Sequence, residues 1–309
     1  MIINPFCVHT IGENTLARRK MPSTPTDLPG GLRPAIFIIG GMDTFPHISF
    51  QQPVWLPVFT AITFLIVFAR YLLISGACHY VCFVWFRSFF QHRYLHTVPR
   101  QRRQMQREIR LSALTSLIFS VLFAVMFMLW QSGYTRIYLY WGDYSWWYHP
   151  LSLAAAMLLH ETYYYWLHRW MHRSNVYRLL HRWHHESIRT TATTSFSFHP
   201  LEAALQALII PLLILVLPLH YWTLFFFLIV MTLSGTINHA GVEVYPKNFE
   251  RHWLGRWIIG ATHHDLHHRK FQFNYGLYFT FWDKLMKTEW PGFEKLFREK
   301  TGSGGREKV

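Results

Sequence analysis

Fourteen of the chain's 20 histidines fall between His160 and His268, and their spacing is that of metal ligands. His168 and His172 stand four apart, neighbours on one helix face. His181, His184 and His185 form an i, i+3, i+4 triple. His264, His267 and His268 repeat it, with His263 just before. The three clusters supply eight imidazoles, and His239 is a ninth candidate. A zinc site takes about three or four protein ligands and a haem at most two, so eight or nine nitrogens fit two ions at about four or five each. Imidazole suits Zn, Cu, Fe and Ni, which leaves the metal open. A nearly all-imidazole shell is neutral, and that favours reduced iron. The competing explanation is a basic amphipathic surface of solvated histidines beside Arg169, Arg173, Arg178 and Arg182; two identical triples argue against it.

The elements that must position these residues are apolar. Val54 to Phe86 carries one charge, Arg70, and is longer than a ~30 Å hydrocarbon core as a straight helix. It either spans and runs on along the interface or bends near Arg70 and Gly76. Residues 87–110 hold seven arginines, which the positive-inside rule places in the cytoplasm. Leu111–Trp130 is an uncharged stretch of spanning length. The aromatic run from Tyr134 to Tyr148 reads as the far headgroup layer, and Leu151–Leu167 brings the chain back. Ala203–Ser234, interrupted by Pro211, Pro218 and His220, fits two short arms turning near Pro218–His220. The expected fold is all-α: a multi-pass helical membrane bundle of about four spans, the last two a short hairpin, under a cytoplasmic histidine-rich helical cap. Residues 1–52 are expected to be a loosely structured arm, 53–295 the membrane domain and 296–309 a flexible tail. This topology, drawn without the histidines, puts all three clusters on one face.

Composition agrees with a lipid-facing surface. Residues are 51% hydrophobic and 15% charged, where soluble domains carry about 25% charged. The net charge of +14 suits an anionic membrane surface, and arginines beside apolar runs disfavour nucleic acid. Cys7, Cys78 and Cys82 form no paired framework and lie away from the histidines, which disfavours a disulfide scaffold and a thiolate site.

His168-Arg169-x-x-His172, Leu180-His181-Arg182-x-His184-His185, Phe198-His199-Pro200-x-Glu202 and His263-His264-x-x-His267-His268 resemble the fatty acid hydroxylase/sterol desaturase superfamily, as do Asn274-Tyr275-Gly276 and Trp282-Asp283. The resemblance covers about residues 155–290. It implies an integral membrane protein of the bacterial inner membrane or endoplasmic reticulum, with two non-haem iron ions at the cytoplasmic edge of the bundle. O2 is the implied oxidant and a membrane lipid such as a sterol, fatty acyl chain or polar lipid the substrate. The implied ligands are His168, His172, His181, His184, His185, His264, His267 and His268, joined by His239; no catalytic side chain is expected beyond them. Glu243, four residues after His239, is implied as a ligand or a neighbour of one.

Hydroxylation and desaturation are both open. No G-x-G-x-x-G fingerprint is seen, so a separate electron donor of ferredoxin or cytochrome b5 type with its reductase is expected. A zinc-dependent membrane hydrolase and a metal transporter are the rival readings. His160 and Glu161 are ionisable groups inside a span and hence site candidates, Glu161 as acceptor for a ligand's second N–H. Asp265 is a candidate for the same role. His199 either lies near the site or starts a helix. His149 and His220 read as far-side interface residues, His252 as a headgroup contact, Asn274–Gly276 as a docking turn and Trp282-Asp283 as a packing anchor.

Overall fold

A computed structural model describes residues 52–96 and 102–302; the expected arm, residues 1–52, lies outside this range except for Gln52. Helix α1 (Leu56–Tyr80) belongs to a helical stretch from Pro53 to Trp85, 33 residues long. The helix runs unbroken through Arg70 and Gly76. At about 1.5 Å per residue it outruns the bilayer core and continues past it. Proline in its first turn begins the helix without sacrificing a hydrogen bond.

Helix α2 (Arg102–Gln131) starts inside the expected arginine loop. Glu108, Ser112, Ser116, Ser120 and Ala124 repeat every four residues along its buried side. The three serines and Ala124 are small enough to let α1 approach closely, with Thr63 of α1 donating to the Ser120 carbonyl at 3.2 Å. Above this stripe Tyr71, Phe119 and Phe196 form one core cluster.

Helix α3 (Tyr148–Met171) is long enough to span, but its second half carries His160, Glu161 and three tyrosines. Among the described residues, three helices are both long and apolar enough to cross a membrane: Pro53–Trp85, Arg102–Gln131 and Tyr221–Asn238. The expected count of about four is therefore met by length and not by composition. Helices α4 (Pro200–Ala207) and α5 (Ile209–Val216) form the first arm of the hairpin, and α6 (Tyr221–Asn238) forms the second. The turn between them pairs with the aromatic run through two short parallel strands, β1 (Ile137–Tyr138) and β2 (Leu219–His220). Leu65, Ile66, Leu73 and Phe226 point outward, more than half exposed, a surface for lipid rather than water. The protein is an integral membrane protein.

His149 and His220 lie against the aromatic run and belong to neither histidine group described below. They are buried together, with the Trp141 ring stacked on His149 at 4.0 Å and the His220 side chain capping α6. Past α6, helix α7 (Ala261–Lys270) carries the last histidine cluster, and helix α8 (Phe293–Thr301) covers it through Phe293 and Phe297. Residues 296–301 are thus packed helix, not loose tail; residues 303–309 lie outside the described range.

Candidate metal centre

The nine histidines come from four elements. His168 and His172 end α3; His181, His184 and His185 sit on a short helical run, residues 177–185. His239 caps the C-terminus of α6, and His264, His267 and His268 lie along α7. The ring nitrogens gather into two groups, each with its atoms within 4.8 Å of one another. His168, His172, His181, His185 and His267 form one; His184, His239, His264 and His268 form the other. Each triple is divided between them: its i and i+4 members point to one group and its i+3 member to the other. On a helix, i and i+4 differ by about 40° while i+3 lies about 100° from i+4, so one triple serves two centres.

Hydrogen bonds fix how the rings present themselves. Nδ1 of His168 donates to the Tyr275 carbonyl at 2.8 Å, that of His267 to Phe273 at 2.7 Å and that of His239 to Gly235 at 2.7 Å. His184 Nδ1 donates to the Ser197 carbonyl at 3.3 Å, and His181 Nδ1 to the Glu202 carboxylate at 2.7 Å. A carbonyl can only accept, so each such ring carries its hydrogen on Nδ1 and a bare lone pair on Nε2. Yet Nε2 of His168 faces Nε2 of His181 at 3.1 Å, and Nε2 of His239 faces Nε2 of His184 at 3.2 Å. Lone pairs converging at that range repel unless a cation lies among them. Metal–nitrogen bonds of about 2.1 Å would separate neighbouring nitrogens by about 3.0 Å at right angles and about 3.4 Å in a tetrahedron. The observed spacing fits the higher coordination numbers, and the donor set fits metal binding.

Burial, reinforced by neighbouring imidazoles, holds His181, His185, His264, His267 and His268 well below the usual histidine range. Burial likewise brings His239 down to about 4. Neutral rings, the form that binds metal, are therefore the stable form at neutral pH.

The flanking candidates take other roles. Glu161 accepts no ligand N–H; its carboxylate collects the backbone N–H groups of Leu277, Tyr278 and Phe279. Glu243 accepts from the Thr262 backbone and hydroxyl, anchoring the start of α7. Asp265 pairs with His96 and Arg269 and, among the described residues, accepts from no ligand ring. His263 stacks on Phe293, and His160 meets the Tyr278 hydroxyl at 2.8 Å. His199 is the N-cap of α4, accepting from Leu201, so the helix-start reading describes it. His199→Ala is expected to cost about 1 kcal/mol, read by thermal unfolding, with metal content unchanged.

Sequence reasoning missed several positioning groups. The segment read as a docking turn holds the His168 ring through the Tyr275 carbonyl, and Phe273, just before it, holds the His267 ring. Asp283, read as a packing anchor, accepts from the Tyr275 and Gly276 N–H groups and so fixes the first of those carbonyls. A Cβ at Gly276 would stand 2.5 Å from Ile259 and 2.6 Å from the Phe279 carbonyl, which requires glycine there. Gly276→Ala is expected to destabilise by about 1–3 kcal/mol, checked by thermal unfolding, with weaker metal retention in dialysis. Glu108 holds the loop before Ser197 by accepting from the Thr191, Thr193 and Thr194 hydroxyls. Glu202 stood in a quoted motif, and a carboxylate heading an apolar run was the available signal.

Residues 153–288 match the fatty acid hydroxylase family model. Among curated proteins, the chain is 30% identical over 220 residues to a delta(7)-sterol 5(6)-desaturase of Candida glabrata, covering 69% of this chain and 55% of that one. It is 30% identical over 185 residues to lathosterol oxidase of Mus musculus, covering 59% and 60%. A delta(7)-sterol 5(6)-desaturase of Eremothecium gossypii is 33% identical over 219 residues, covering 69% and 57%. The matched segment thus spans little more than half the length of these relatives. No solved structure matches. The family match lies on the segment that carries all nine gathered histidines, and it places this chain in the fatty acid hydroxylase/sterol desaturase superfamily.

Proposed function

We propose that this protein is an O2-dependent lipid oxidase whose two histidine groups hold a pair of iron ions. The observation that carries the proposal is the convergence of nine imidazoles into groups of five and four, next to an apolar cavity between membrane helices. The iron pair, when bound, would supply the activation of O2 needed to break an unactivated C–H bond. The chain's own residues do the rest. Glu202 and the carbonyls of Tyr275, Phe273, Ser197 and Gly235 orient the rings and keep Nε2 free for metal. Phe119, Phe123, Phe196 and Phe198 line the cavity, bind the lipid body and exclude water. His239 belongs to the second histidine group and also lines the cavity, which brings the lipid to the metals.

O2 accepts four electrons per turnover, two from the lipid and two from a donor. The products are an alcohol and one water, or an alkene and two waters. A separate protein of ferredoxin or cytochrome b5 type, with its reductase, supplies the donor electrons. A zinc hydrolase would leave several of the nine imidazoles without a task, because zinc takes about four ligands. The test is iron-loaded protein in lipid bilayers with a chemical or protein reductant and O2. Mass spectrometry should find a lipid gaining one oxygen or losing two hydrogens, and no oxygen-independent hydrolysis.

The histidine groups are proposed to face the cytoplasm, the side of the arginine-rich segment. Cysteines introduced at Ser174, beside the groups, and Ser145, in the aromatic run, are expected to label from opposite sides. Labelling of both from one side would overturn this topology.

A further inference from the structure

The cavity beside the histidine groups encloses about 60 Å³ and is partly open, and its walls are almost wholly aromatic or aliphatic. Phe123, Met126 and Ile210 also line a second apolar cavity, which reaches Trp130, Leu139 and Tyr221 near the far end of the bundle. The two lie next to each other along α2, with these three side chains between them. Phe119 to Trp130, the stretch of α2 that lines them, is about 16 Å of helix.

Five polar side chains interrupt the inner cavity: His160, Tyr164, Ser195, Gln206 and His239. Three of them are engaged elsewhere. Ser195 donates to the Ala192 carbonyl, the Gln206 amide to Glu202, and His239 belongs to the metal groups. His160 and Tyr164 remain. They lie one turn apart on α3, 4% and 6% exposed, with ring centroids 6.3 Å apart, and Tyr164 touches the His168 ring at 5.2 Å.

Both keep hydrogen-bonding capacity. The Tyr278 hydroxyl has no partner but His160 Nδ1 among the described residues. If Nδ1 carried the hydrogen, the buried Tyr278 O–H would have no acceptor, so Tyr278 donates and His160 bears its hydrogen on Nε2. Tyr164 has no hydrogen-bond partner among the described residues, although it is buried against the cavity. An idle N–H and O–H in an apolar membrane cavity are costly unless a ligand uses them.

We propose that His160 and Tyr164 bind a hydroxyl at the metal-side end of the substrate. The substrate is then an elongated lipid alcohol whose hydroxyl lies close to the carbon oxidised, with its apolar body running along α2 toward Trp130. The hydroxyl accepts from His160 Nε2–H and shares a hydrogen with Tyr164. This rests on the proposed function for the chemistry, but recognition itself needs no turnover and can be tested apart from it.

The test is equilibrium binding to the full chain in nanodiscs. Two lipid pairs serve as probes: cholest-7-en-3-ol against cholest-7-ene, and octadecanol against octadecane. Wild type is expected to bind the alcohol of at least one pair about tenfold or more tightly than its hydrocarbon partner. Tyr164→Phe should cut that preference to about threefold or less, leaving hydrocarbon affinity and metal content unchanged. His160→Gln, which keeps a side-chain N–H, should retain more of the preference than His160→Leu. Equal binding of alcohol and hydrocarbon in both pairs overturns the proposal without any variant. So does a preference that survives Tyr164→Phe and His160→Leu. Lipid oxidation by a protein with no such preference would leave the proposed function standing and remove this inference alone.

Discussion

His184→Ala and His267→Ala are each expected to abolish lipid oxidation while leaving the protein in the membrane. One residue is taken from each group, so both centres are probed. The loss should exceed the ~10–100-fold typical of removing a ligand's hydrogen-bond partner, because a ligand itself is gone. Insertion is driven by the apolar surfaces of α1, α2 and α6, which neither residue contributes to. The measurement is product formation per mole of membrane-inserted protein, with His199→Ala as the reference that keeps most activity. Equal activity in His184→Ala and wild type would remove the second group from the chemistry.

Glu161→Ala should produce the largest loss of stability. Its carboxylate is fully buried and accepts three consecutive backbone N–H groups, of Leu277, Tyr278 and Phe279. Each buried donor left unpaired costs about 1–3 kcal/mol, so about 3 kcal/mol or more is expected in detergent unfolding. The same segment carries the Tyr275 carbonyl that orients His168, so metal retention should fall too. Glu161→Gln keeps an acceptor and should be milder. A Glu161→Ala protein with wild-type unfolding would show that the carboxylate does not hold this segment.

The ligand-type histidines and the apolar runs were legible because both are periodic signals in the sequence itself. The triples at 181–185 and 264–268 repeat a spacing, and Ala203–Ser234 announced its turn with Pro218. What was not legible depends on contacts distant in sequence. Nothing near Glu108, among seven arginines, indicates that it binds three threonine hydroxyls more than eighty residues away. Glu161 looked like a partner for an imidazole because it lies seven residues before His168, but backbone donors of the 277–279 segment reach it instead. Backbone carbonyls of Tyr275 and Phe273 have no sequence signature at all. Only the pattern Asn274-Tyr275-Gly276 hinted at them: Asn274 takes a left-handed conformation, which asparagine tolerates, and Gly276 has no room for a Cβ. The length of Val54–Phe86 posed a choice between bend and continuation that composition could not decide, and the helix continues.

The most direct test of the central claim is the number of metal ions per chain in active protein. Purified protein loaded with iron under reducing conditions should hold about two irons per chain by elemental analysis, with turnover rising until both are bound. Zinc acquired during expression would not count against this, since imidazole sites accept it readily. Full lipid-oxidising activity at one iron per chain would contradict the pair of centres.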